Sequence, residues 1–106
     1  MLRSDAKFEI GALGRIGRSM ALSFPNPSRW YDRSRRAVRF WGNDSAMEAA
    51  FFVTVDALKQ IEPNTRLDEA GLLGAFDSHR ELVYAAAVKV YGRGRRGSYD
   101  ISSADL

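Results

Sequence analysis

Two neighbouring segments of the chain alternate with the period of a β-strand, and each carries aromatic residues on both of its sides. Phe40 and Trp41 fall on opposite sides of the earlier segment, and Phe51 and Phe52 on opposite sides of the later one. Because successive side chains of a strand point to opposite faces of a sheet, both faces of this sheet carry large apolar groups. A single amphipathic helix covers one face only, so the pattern predicts a two-layer domain whose second face needs another cover.

Polar, turn-forming runs divide this region into three strands. The sequence predicts strands at residues 29–32, 36–41 and 46–54, joined by turns at residues 32–35 and 42–45. Consecutive strands with such short connections are typical of an antiparallel meander.

One short and one long helix are predicted after the strands. Thr54 occupies the N-cap position of a short helix over residues 55–61, and Pro63 prevents its continuation. A run similar to a capping box, residues 65–68, precedes a long helix that reaches about Tyr91. One apolar stripe of the long helix is expected to face the sheet. It consists of Leu72, Phe76, Val83, Ala86, Ala87 and Val90.

The fold class that follows is α+β, with two layers: a three-stranded antiparallel meander packed by one short and one long C-terminal helix. Residues 98–101 allow a short fourth strand at the edge. The chain has 106 residues, enough for one domain and too few for two. We expect residues 1–19 to be a disordered leader without apolar periodicity, and residues 20–106 to form the domain, with Met20 as the initiator.

Composition excludes several classes of function. The chain has no Cys and one His, so it has no disulfide, thiolate metal site or cysteine nucleophile, and we predict no metal and no other cofactor. No uncharged apolar run approaches the roughly 20 residues of a membrane span. We therefore expect a cytoplasmic protein that does not enter a membrane.

Five segments occur in an order that resembles a known family. They are residues 24–29, 38–42, 51–53, 75–80 and 97–100, which read FPNPSR, VRFWG, FFV, AFDSHR and GSYD. In this order they resemble the small bacterial proteins grouped as domain of unknown function 1488. The resemblance spans residues 20–106 and leaves the first 19 unmatched. It implies a small α+β domain and no reaction, since no catalytic or ligand residues carry over to these positions.

Three constellations suggest catalysis or ligand binding, and each also has a simpler structural interpretation. The glycine-rich run at residues 11–17 lacks the spacing of a dinucleotide or phosphate loop. His79 has no orienting partner that the sequence nominates, although a hydrogen-bonded carboxylate beside it would reopen the enzyme class. Asp77 and Glu81 share a helix face that we expect to be exposed to solvent. We therefore predict no catalytic residues and favour a protein that is not an enzyme.

The outward-facing aromatic residues carry the main functional prediction. Trp30, Trp41 and Phe52, with Arg39, form an exposed patch unless the short helix, residues 24–27 or the final strand covers them. Both interpretations remain open at this point. An exposed patch would suit a second copy of the chain or the bases of a single nucleic-acid strand.

Two arginine clusters support an alternative function. They are Arg33, Arg35, Arg36 and Arg39 in the first hairpin, and Arg93, Arg95 and Arg96 after the long helix. Arginine groups fit phosphates, and the clusters would merge if the last strand folded back beside the hairpin. However, residues 1–19 hold four of the 16 basic and two of the 13 acidic side chains, so the rest of the chain is nearly balanced in charge.

The predicted function is a non-catalytic binding or interaction module. Its most concrete form is a homodimer that associates through the open sheet face. The alternative is an arginine-mediated nucleic-acid-binding module.

Overall fold

The structure, a computed structural model, describes residues 22–94 and 96–106. The elements within these ranges, in chain order, are β1 (Leu22–Ser23), β2 (Arg29–Asp32), β3 (Ala37–Asp44), β4 (Met47–Thr54), α1 (Val55–Ile61), α2 (Glu69–Ser78), α3 (Arg80–Tyr91), β5 (Tyr99–Ile101) and a 3-10 helix (Ser103–Asp105). The expectations of a leader at residues 1–19 and of an initiator at Met20 concern residues outside the described ranges.

The predicted antiparallel meander is present as β2, β3 and β4. β3 pairs with β4 from Ala37 opposite Thr54 to Asp44 opposite Met47. The described sheet has two further strands. β1 pairs with the end of β3 on the same side as β2, and β5 pairs parallel with β4. The predicted three-stranded meander is therefore too small, the short fourth strand is confirmed as β5, and the helices precede β5 instead of ending the chain.

Gly42 lies inside β3, where the sequence pattern predicts a turn. The turn consists instead of residues 45 and 46, and Ser45 adopts a left-handed backbone with φ 56°. A Cβ at Gly42 would lie 3.0 Å from the ring of Phe24 and 3.1 Å from the ring of Phe51. The glycine therefore makes room for Phe24, whose ring stacks on Tyr84 with 4.1 Å between centroids.

The prediction of one continuous long helix is wrong, because two helices occupy its span. His79 separates α2 from α3 with a non-helical backbone, φ −127° and ψ 32°. A single straight helix over residues 69–91 would extend about 35 Å in one direction. The break lets α2 pack on β2 and β3 while α3 packs on β5. The short helix α1 has the predicted bounds, and Thr54 Oγ1 accepts a hydrogen bond from Ala57 N at 3.1 Å.

The core lies between the helices and one face of the sheet, which we call the inner face. Val38, Phe40, Phe51 and Val53 are fully buried on it, as predicted. All six residues of the predicted helical stripe are buried in the same core cluster, although the helix break divides them. Each large side chain buried here contributes about 1.5–3 kcal/mol.

Asp77 links the helix break to β2. Its carboxylate accepts hydrogen bonds from Arg29 Nε at 3.0 Å and Nη2 at 2.8 Å, and from Arg80 Nη2 at 2.8 Å. Arg80 Nη2 also donates to the carbonyl oxygen of Pro27 at 2.9 Å. Asp77 is exposed, as expected for its helix face. Its hydrogen bonds to Arg29 and Arg80 join the helices to β2, and we call this set of three residues the Asp77 clamp.

Two glycines of α2 predict opposite effects of the same substitution. A Cβ at Gly71 would lie 2.4 Å from the backbone oxygen of Arg66, whereas a Cβ at Gly74 would meet nothing within 4 Å. We expect Gly71→Ala to lower the free energy of unfolding by about 1–3 kcal/mol through overpacking. Gly74→Ala should raise it by about 0.5–1 kcal/mol through helix propensity. Urea unfolding measures both, and equal effects would contradict the close packing at Gly71.

The Asp77 clamp predicts a pH dependence of stability. The hydrogen bond from Arg29, aided by Arg80, holds the pKa of the Asp77 carboxyl below its usual value. Because the folded-state pKa is depressed, the stabilisation is complete above the unfolded-state pKa of about 4 and is lost as the pH falls through the folded-state pKa. Asp77→Asn should therefore lower the free energy of unfolding most at neutral pH and progressively less below about pH 4.

Glu81→Gln is the matched control, because Glu81 lies one turn further on α3 without an ion pair among the described residues. Its effect on the free energy of unfolding should be small throughout the same pH series. A deficit of Asp77→Asn that stays constant down to about pH 2 would contradict the clamp.

Candidate interaction surface

The sheet face that points away from the helices carries most of the predicted binding residues. The strand register aligns Trp30, Arg39, Phe52 and Asp100 in one row across β2, β3, β4 and β5. Together with two flanking residues they form what we call the outer face. Its members are Trp30, Arg35, Arg39, Trp41, Phe52 and Asp100. None of the six belongs to the hydrophobic core cluster of the described residues.

Arginine side chains cover the aromatic floor of the outer face. Arg35 Cζ lies 4.0 Å from the centroid of the Phe52 ring, and Arg39 Cζ lies 5.6 Å from that ring and 5.2 Å from the Trp41 ring. Phe52 is only 5% exposed, and Trp41 is half-buried. Of the two interpretations left open by the sequence, intramolecular cover therefore holds for Phe52. Among the described residues, two guanidinium groups lie over this ring, since such cations are attracted to the faces of aromatic rings.

Trp30 remains open to solvent beside this cover. It is 67% exposed and lies opposite Arg39 in the strand register. Arg39 Nε is buried and has no hydrogen-bond partner among the described residues. A buried donor without an acceptor lowers stability, so Arg39 carries an unfavourable interaction next to an indole that is open to solvent.

The hairpin arginines are placed at one end of the sheet. Arg35 Nη1 lies 3.5 Å from Asp100 Oδ1, which brings the turn toward β5. Arg33 and Arg36 are exposed in the same turn, where Arg36 has a left-handed backbone with φ 51°. This end of the outer face therefore presents cations next to two carboxylates, those of Asp100 and of Asp32 at the end of β2.

The arginines after α3 lie elsewhere. Arg93 Nη1 binds Asp105 at 2.8 Å, and hydrogen bonds from Ser102 and Arg93 hold the pKa of that carboxyl below its usual value. Arg96 lines a small hollow with residues 47–49, at the end of β4 that is distant from the hairpin turn. Arg95 lies outside the described residues. Because Arg96 lies at the far end of β4 and Arg93 binds Asp105, the described members of the two clusters do not meet in one patch.

His79 has a partner that sequence reasoning missed. Its Nε2 lies 2.9 Å from Oε1 of Glu62, the residue that ends α1 and stands 17 positions earlier. The pair borders an open depression lined by residues 77–82. The hydrogen-bonded carboxylate that would reopen the enzyme class is therefore present beside His79, since a histidine in this setting can serve as a base. In the described ranges, however, no hydroxyl group is hydrogen-bonded to His79 and no group of His, Asp and Glu is arranged to hold a metal.

The position of Glu62 gives the pair a structural role, since it connects α1 to the break between α2 and α3. The glycine-rich run at residues 11–17 lies outside the described residues. Within the part of the chain that the structure describes, no helix has the length and hydrophobicity to cross a bilayer.

Comparison with known proteins identifies the family. A family model described as a protein of unknown function (DUF1488) matches residues 22–102. The chain belongs to the DUF1488 family. The resemblance of the five sequence segments is thereby confirmed.

A solved DUF1488 structure has the same fold. It is the crystal structure of a family protein of unknown function from Shewanella loihica PV-4, with a TM-score of 0.68 and 14% sequence identity. The alignment covers 76% of this chain and 91% of that chain. No match to a curated protein was found.

The unpartnered nitrogen of Arg39 predicts a gain of stability on substitution. Arg39→Met keeps the apolar stem over Trp41 and Phe52 and removes a buried donor whose desolvation costs about 1–3 kcal/mol. The substitution also loses two cation–π contacts of about 0.5–1 kcal/mol each. We expect the free energy of unfolding to rise by about 0.5 kcal/mol. Arg36→Met, in the exposed turn, should have no effect. A lower stability of Arg39→Met in urea would show that the charge stabilises the isolated fold.

Proposed function

We propose that this DUF1488 domain is a non-catalytic interaction module that associates with a second copy of itself through the outer face. The observation that carries the proposal is an exposed Trp30 beside Arg39, whose buried Nε lacks an acceptor. Trp and Arg are enriched among the residues that dominate binding energy at protein interfaces. We also propose a cytoplasmic location, which the cysteine-free sequence favours.

The charges of the outer face favour a second copy over a polyanion. Asp100 has a side chain that is 70% exposed, and it already lies 3.5 Å from Arg35. The face therefore presents a carboxylate among its cations, which a chain of phosphates would have to approach. A second copy of the domain carries both signs of charge and can match them.

Single-stranded nucleic acid is the second candidate partner. Arg33, Arg36 and Arg96 have no ion pair within the described ranges, and the indole of Trp30 is open for stacking on a base. Against this candidate, Arg33 and Arg36 lie at the hairpin end of the sheet and Arg96 lies at the other end. A single nucleic-acid strand would need to span the length of the sheet to reach them all.

Sedimentation equilibrium of the full chain over a series of concentrations tests the self-association. Trp30→Thr keeps a strand-forming residue on β2 and removes the exposed ring. We expect the dissociation constant to rise at least about tenfold, the equivalent of about 1.4 kcal/mol. The free energy of unfolding should change by less than about 0.5 kcal/mol, as for other exposed positions.

Leu67→Ser is the control, since it removes another large exposed apolar residue that lies between α1 and α2, away from the sheet. It should leave the dissociation constant unchanged. A chain that remains monomeric at every concentration overturns the proposal. Titration of the same chain with single-stranded RNA at low and high salt then tests the second candidate, because phosphate contacts weaken steeply as salt rises.

A further inference from the structure

The row of residues across the outer face has two chemically different halves, and a second copy of the chain can pair with them. From one edge of the sheet to the other it reads Trp30, Arg39, Phe52 and Asp100, at intervals of about 4.8 Å. One half of the row holds the exposed indole and the unpaired cation. The other half holds the covered ring of Phe52 and the exposed carboxylate of Asp100. If a second copy lies over this row in the reverse order, the half with the cation in one copy therefore faces the half with the carboxylate in the other.

Two sheets whose strands are aligned and that are related by a two-fold axis can face each other in two ways. An axis parallel to the strands reverses their order, so that β2 lies over β5 of the second copy and β3 over β4. An axis perpendicular to the strands, in the plane between the sheets, keeps their order, so that each strand lies over itself. The sheets are about 10 Å apart in either case.

The charges distinguish these arrangements. With the perpendicular axis, β3 faces β3 and β5 faces β5, so the Arg39 side chains oppose each other, as do the Asp100 carboxylates. With the parallel axis, each Arg39 faces the Phe52 position of the other copy and has Asp100 of that copy beside it. Like charges in direct opposition disfavour the first arrangement, and unlike charges favour the second.

We infer that the second copy docks with the two-fold axis parallel to the strands, so that Asp100 of each copy approaches Trp30 and Arg39 of the other. This inference rests on the proposed self-association. The approaching carboxylate is opposite in charge to the Arg39 guanidinium, and the two-fold symmetry forms this contact twice per dimer. Phe52 stays beneath Arg35 and Arg39, so the interface forms over the arginine layer and not over a bare apolar core.

Cysteine cross-linking of the full chain tests the direction of the axis. The chain has no native Cys, so single substitutions report one position each. Ser28 and Ser98 immediately precede β2 and β5, which run in the same direction at opposite edges of the sheet. The parallel axis brings Ser28 of one copy near Ser98 of the other. Ser34, in the hairpin turn, lies beyond the other end of β2 and serves as the matched position for the perpendicular axis.

Ser28→Cys and Ser98→Cys proteins are mixed, diluted to exchange subunits, reconcentrated and treated with a bismaleimide that spans about 10 Å. We expect the mixture to shift from the 11.8 kDa chain to a covalent dimer, and either protein alone to stay largely at the chain mass. Cross-linking of a Ser28→Cys and Ser34→Cys mixture instead would overturn the parallel axis and leave self-association standing. A sedimenting dimer that cross-links in neither mixture would also overturn the inference, whereas a strict monomer would remove the proposed function itself.

Discussion

The contact between Phe40 and Phe51 is the one on which the other packing of the domain depends. The two residues lie opposite each other in the register of β3 and β4, both are fully buried, and their ring centroids are 5.4 Å apart. Rings from the rest of the chain gather around this pair. They belong to Phe24 before β2, Phe76 of α2, Tyr84 and Tyr91 of α3, and Tyr99 of β5. A slip of β4 by one residue against β3 would turn Phe51 to the outer face and separate the two rings.

Adjacent residues of β4 show two different ways of removing an aromatic ring from water. Phe51 points inward and is covered by other rings, while Phe52 points outward and is covered by guanidinium groups. A small domain has little chain left to build a third layer, so flexible arginine stems from the hairpin serve in its place. The outer face thus becomes apolar beneath and charged above, and a partner meets charge, hydrogen-bond donors and one exposed indole.

Elements whose bounds are set by neighbouring residues could be predicted from the sequence. Elements whose bounds are set by contacts with residues far along the chain could not. The bounds of β2 and α1 follow from neighbouring turn residues and from the Thr54 cap. The break at His79 contains no Gly or Pro. Its contacts come from distant parts of the chain: Glu62 lies 17 residues before His79, and Arg29 lies 48 residues before Asp77. Gly42 could not be placed from the sequence for the same reason. A glycine in a polar run is typical of a turn, and only the structure shows that it makes room for the ring of Phe24 inside a strand.

The residues of the candidate site also include some that the sequence could place and one, Arg35, that it could not. The period of two predicted the opposite sides of each strand, and burial of the more apolar side then predicted Trp30, Arg39 and Phe52 on one outward face. That Arg35 lies over Phe52 depends on how the hairpin turn folds across β4, which no local pattern encodes.

The partners of the individual arginines separate structural from surface roles. Arg29, Arg80 and Arg93 each bind a carboxylate of their own chain and tie one element to another. Arg39 has a buried nitrogen without an acceptor among the described residues, and an apolar side chain of similar length would cover Trp41 and Phe52 without that cost. The charge at this position attracts the faces of both rings, but it leaves one buried donor without an acceptor among the described residues. The proposed self-association would place a carboxylate beside the rest of this guanidinium, next to the exposed Trp30.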